Sequence, residues 1–191
     1  MDRVLIVPGL RNSGPDHWQS WLENVLPDTR RVVQSNWEQP CLSDWAARVR
    51  EEIDAQGEPV WVVAHSFGCL AAVTAGLVRG ERIRGALLVA PADPDRFSEP
   101  AALLEERLAF PSVVVASEND PWIATNVARH WARYWGSDFV NVGAAGHINV
   151  DSGHGPWPEV LQLLERLRVG TSPAGPVSQQ ARPLDAFRIC I

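Results

Sequence analysis

Three short stretches, Val4-Leu5-Ile6-Val7, Val60-Trp61-Val62-Val63 and Ala86-Leu87-Leu88-Val89, are apolar at every position rather than at every second one. Side chains of a strand point alternately to its two faces, so a continuously apolar strand needs cover on both. Helices on both faces of a largely parallel sheet satisfy that need. The rest of the chain fits, because β-branched runs alternate with longer segments of helical period. Strands are expected near Arg3-Pro8, Arg31-Gln34, Val60-Ala64, Gly85-Ala90, Ser112-Ser117 and Asp138-Val142. Helices are expected near Asp16-Val25, Ser43-Ala55, Phe67-Val78, Ala101-Leu108, Thr125-Trp135 and Pro158-Arg168, with Ser43 as an N-cap and Pro158 in a first turn. The expected fold class is a doubly wound α/β sheet, whose ligands bind beyond the carboxyl ends of the strands.

With 191 residues, the chain is read as one domain over residues 1–169. From Gly170 a Pro-, Gly-, Ser- and Gln-rich stretch without period predicts a flexible tail over residues 170–191. The net charge is -6, and all 17 basic residues are Arg. An acidic chain with no basic stripe predicts no nucleic-acid partner and no anionic membrane surface. The absence of Lys removes Schiff-base chemistry and a P-loop lysine. Cys41, Cys69 and Cys190 form no C-x-x-C pair, and no signal-like segment follows Met1, so a cytoplasmic protein is expected. The nine tryptophans are read singly as packing residues.

Chemistry concentrates at Val60-Trp61-Val62-Val63-Ala64-His65-Ser66-Phe67-Gly68-Cys69-Leu70-Ala71-Ala72. A buried strand, a tight turn on a serine and a helix of small residues make the layout of a nucleophile elbow, with Ala64 where the G-x-S-x-G pattern opens on glycine. A serine hydroxyl needs a base, and the base needs an orienting acid. Two further loops follow expected strands and open on the same sheet edge. Asp120, in Ser117-Glu118-Asn119-Asp120-Pro121, is the expected acid, with Glu118 and Asp93 as alternatives. His147, in Gly146-His147-Ile148-Asn149, is the expected base, with His154 as its rival.

Oxyanion donors in such a site are backbone amides. Phe67 follows the serine, and Leu10 follows Gly9, which lets the chain bend inward. The loop lacks G-x-G-x-x-G, so no dinucleotide site is read there, and no cofactor is expected. His147, Asp151 and His154 lack metal-ligand spacing, and no metal is expected. His17, Trp18 and Trp122 are candidate pocket residues, although Trp18 and Trp21 lie three apart on one helical face, as packing residues do.

Four motifs in order, Pro8-Gly9-Leu10 with Ser13-Gly14-Pro15-Asp16-His17-Trp18 and Trp21, Ala64-His65-Ser66-Phe67-Gly68, Ser117-Glu118-Asn119-Asp120-Pro121 and Gly146-His147-Ile148-Asn149, give the chain a family likeness. From about Arg3 to Arg168 it resembles the small serine hydrolases typified by retinoblastoma-binding protein nine and YdeN-like bacterial proteins. The resemblance implies a compact α/β-hydrolase fold of about six strands without a large cap, with Ser66, Asp120 and His147 matching nucleophile, acid and base. The L-x-C-x-E motif for retinoblastoma binding is absent, so that partner is not implied and a protein partner is unknown. The expected function is cleavage of small carboxylic esters or amides through an acyl-enzyme, carboxylesterase-like. The alternatives are an aminopeptidase-like amidase, with Glu118 receiving the amine, and a non-catalytic interaction protein on the same fold.

Overall fold

The computed structural model describes residues 3–98 and 104–171. Six parallel strands run β1 (Val4–Val7), β2 (Thr29–Arg31), β3 (Val60–His65), β4 (Ile83–Val89), β5 (Ser112–Ala116) and β6 (Asp138–Asn141), in the sheet order β2-β1-β3-β4-β5-β6. Five helices accompany them: α1 (Trp18–Val25), α2 (Leu42–Asp54), α3 (Phe67–Arg79), α4 (Thr125–Trp135) and α5 (Glu159–Thr171).

The continuously apolar strands divide their side chains between two cores. Leu5, Val7, Val62, Ala64 and Leu88 pack with α2, α3 and α4 on one face. Val4, Ile6, Trp61, Val63 and Leu87 pack with α1 and α5 on the other. The edge strand β2 is polar, β6 is polar at its two ends, and both are partly buried to exposed, which suits strands with one open side. Chain order reverses between β1 and β3, so the crevice at their carboxyl ends is the switch point where open α/β sheets bind ligands. Among the described residues no cap is inserted over that edge, and no helix is long and apolar enough to cross a membrane.

Four local expectations are corrected. The strand read at Arg31-Gln34 forms earlier, at Thr29–Arg31, because pairing with β1 sets the ends of an edge strand rather than the β-branched pair Val32-Val33. Cys41, not Ser43, stands at the N-cap of α2, without a side-chain cap bond, and Ser43 lies inside the helix. Of the helix read at Ala101-Leu108, residues 104–108 are not helical and 101–103 lie outside the described residues. Leu104 and Leu108 are spaced like a helix face, but both are held by Trp135 of α4. Its indole N–H donates to the Leu104 carbonyl at 3.0 Å, and its own carbonyl accepts from Leu108 N at 3.1 Å. The tail read from Gly170 begins inside the last turn of α5, and its remainder lies outside the described residues.

Candidate active site

Ser66 joins β3 to α3 with φ 53 and ψ -127, a conformation that L residues avoid. Such strain costs about 1–3 kcal/mol and persists only where the surroundings over-determine it. Here the surroundings are the loop after β1. A Cβ on Gly68 would collide with the carbonyl oxygens of Val7 and Pro8, and one on Gly9 would sit 2.7 Å from the Ser66 Cβ. Gly68, two positions after the serine, therefore admits the neighbouring loop.

Opposite Ser66 stands His147, whose Nε2 lies 2.9 Å from Ser66 Oγ. Its Nδ1 lies 3.0 and 2.9 Å from the two oxygens of Asp120. A carboxylate accepts only from Nδ1–H, so that tautomer leaves Nε2 free to accept the serine proton. The Asp120 side chain is 1% exposed and also accepts from Trp122 N at 2.8 Å. Three loops, after β3, β5 and β6, thus bring Ser66, Asp120 and His147 into one line.

The rival residues lie elsewhere. Asp93 caps a short 3-10 turn at Pro94–Phe97 through Asp95 N. Glu118 accepts from Asn141 Nδ2 at 3.0 Å. His154 turns its Nδ1 to the Ser152 carbonyl and its ring to Trp157.

Phe67 opens α3, where the first amides have no intrahelical acceptor. Leu10 follows Gly9, which lies so close to Ser66 that a side chain on it would meet the serine Oγ at 3.3 Å. A cavity of about 320 Å³ opens over Ser66, with Leu10, Phe97, Trp122 and Val150 as apolar wall and His17 at its base. Trp18 is corrected as a pocket residue: it is fully buried beneath the cavity, against Trp157. His17 caps α1, its Nδ1 accepting from Gln19 N at 3.1 Å. Burial first, then the Arg31 charge, lowers its pKa to about 4.

Several bracing side chains escaped the sequence reading. Ser117 Oγ accepts from Ala145 N at 2.9 Å, and Asn119 Oδ1 accepts from Gly146 N at 2.7 Å, so the acid's loop holds the base's loop. Gln19, fully buried, donates to the Val7 and Val63 carbonyls and ties the ends of β1 and β3 together. Arg31 donates to Asn12 Oδ1 and the Ser13 carbonyl and fixes the loop that carries Leu10. Ser117 and Asn119 sit within a motif already singled out, and that position was the only available signal.

A family model described as serine hydrolase matches residues 4–166. The chain belongs to the serine hydrolase family. The hydrolase is also similar to a solved structure described as a YdeN-like hydrolase, from Pectobacterium atrosepticum, at 39% identity and TM-score 0.85, covering 90% of this chain and 94% of that one. The ydeN gene product of Bacillus subtilis shares its fold at 22% identity and TM-score 0.74, covering 88% and 100%. So does carboxylesterase CesB of Bacillus subtilis, at 14% identity and TM-score 0.64, covering 88% and 84%. No curated protein matches the hydrolase.

Proposed function

We propose that the hydrolase cleaves small carboxylic esters through an acyl-enzyme, with Ser66 as nucleophile, His147 as general base and acid, and Asp120 as the acid that orients His147. The unbroken line of contacts from Asp120 through His147 to Ser66 carries this proposal. Ser66 Oγ attacks the ester carbonyl while His147 Nε2 takes its proton. The negative charge that develops on the carbonyl oxygen is met by the Phe67 and Leu10 amides, aided by the dipole of α3. His147 then returns the proton to the leaving alkoxide, and a water activated by the same nitrogen releases the acid.

The cavity is at the small end of ligand sites, which suits short acyl groups better than long chains. Glu118, the expected amine receiver of the amidase alternative, is bound to Asn141 and is not on the cavity wall, whose acidic residue is Asp151. A reducing cytoplasm suits the exposed free thiol of Cys41. Hydrolysis of p-nitrophenyl acetate is expected to exceed that of an aminoacyl p-nitroanilide by at least tenfold in kcat/KM. Ser66→Ala is expected to lose about 1000-fold or more on the ester. Retention of the activity by Ser66→Ala, or preference for the anilide, overturns the proposal.

A further inference from the structure

The loop that carries His147 is held in an unfavourable shape. Positive φ angles flank the histidine, 59 at Gly146 and 48 at Ile148. Glycine takes such angles freely, but a β-branched residue there is a conformational outlier that relaxes unless something prevents it. Two ring N–H groups do so, one from the start of α1 and one from the end of β3. Trp18 Nε1 donates to the Ile148 carbonyl at 2.8 Å, and His65 Nε2 lies 3.0 Å from the His147 carbonyl. A carbonyl can only accept, so the His65 proton sits on Nε2.

Both rings are themselves immobilised. Trp18 is fully buried, and His65 is wedged edge-on between neighbours, with the His17 and His147 ring centres each 4.9 Å away and that of Trp18 at 5.9 Å. Burial, reinforced by His147 and His17, holds the His65 pKa well below the usual imidazole value, so the donor stays uncharged beside the base. Ser117 and Asn119 grip the loop before His147; Trp18 and His65 grip it at and after His147.

We propose that His65 and Trp18 are positioning residues for the base: by binding the consecutive carbonyls of His147 and Ile148 they hold the His147 imidazole over Ser66. This inference rests on His147 acting as the base. An imidazole displaced by about 1 Å loses alignment with the serine hydroxyl, and such misplacement costs up to about 100-fold in rate. The elbow pattern leaves the residue before the serine open, and this contact supplies a reason for a histidine there.

The test is steady-state hydrolysis of p-nitrophenyl acetate by the full chain and its variants. His147→Ala comes first, expected to abolish turnover; wild-type activity in that variant defeats the functional reading itself. His65→Leu and Trp18→Phe each remove a donor and are expected to lower kcat about 10- to 100-fold with KM within about twofold. His65→Gln, which can present an N–H near the same point, is expected to recover most of the loss. If His65→Leu fails to fold, Trp18→Phe and His65→Gln give the same comparison. A melting temperature that falls while kcat stays within twofold of wild type overturns the inference and leaves the functional reading standing. So does a His65→Gln variant as slow as His65→Leu.

Discussion

The floor of the crevice and its rim are built differently. On the floor, Ser66, His147 and Asp120 are each fixed by at least two independent constraints, tight glycine contacts and the bond to His147 for the serine, paired hydrogen bonds for the other two. At the rim, the Trp122 side chain is exposed and meets the floor through a ring contact with His147, 6.3 Å between centres, while its backbone N–H is bound to Asp120. Arg11 reaches Glu38 in an ion pair with both side chains mostly in solvent, an interaction worth little. The contrast predicts a division of labour for the proposed hydrolysis: substitutions on the floor are expected to change rate, and substitutions at the rim are expected to change substrate preference.

The hardest blow to the floor that leaves its shape intact is Asp120→Asn. The amide can still reach His147 Nδ1, but it no longer favours the Nδ1–H tautomer. A fall of about 10³- to 10⁴-fold in kcat is expected, with an unchanged circular dichroism spectrum. A loss below tenfold would show that the carboxylate merely fills space.

Next in size is the pH cost of burying a histidine at the cavity wall. His17 is neutral in both folded and unfolded chains above its ordinary pKa of 6.5. Below that value the unfolded chain takes up a proton that the folded chain refuses until about pH 4. Stability is therefore full above 6.5 and falls as pH drops across this window, at about 1.4 kcal/mol per pH unit, about 3 kcal/mol in all. Burial of His65 adds a slope of the same sign. His17→Asn keeps an N-cap acceptor for α1 and is expected to flatten the His17 part in urea melts at pH 7 and pH 5. An identical pH slope in the variant would contradict the assignment.

The smallest effect belongs to the rim. Trp122→Ala is expected to raise KM about three- to tenfold, the value of about 1 kcal/mol of apolar contact, with kcat within twofold. A matching fall in kcat would erase the distinction between floor and rim.

Much of the floor was legible in the sequence because its signals are local. Continuous apolar runs announce strands buried on both faces, and the small residues around Ser66 announce an elbow. Asp120 and His147 were found from their place after strands, since parallel strands deliver the following loops to one edge. The braces were not legible. Trp18 meets the Ile148 carbonyl, and Gln19 spans Val7 and Val63, through contacts that join distant stretches and leave no periodic trace. Trp18 read as a packing residue or a pocket wall, and its indole N–H gave no hint of its acceptor. The same limit explains Leu104 and Leu108, whose helical spacing serves Trp135 rather than a helix.

The most direct measurement is labelling of the folded protein with a fluorophosphonate, followed by mass-spectrometric identification of the modified residue. One phosphonyl group on Ser66 is expected, with labelling slowed at least 100-fold in His147→Ala. A label on another residue, none at all, or equal labelling in the two proteins would contradict a serine activated by that imidazole.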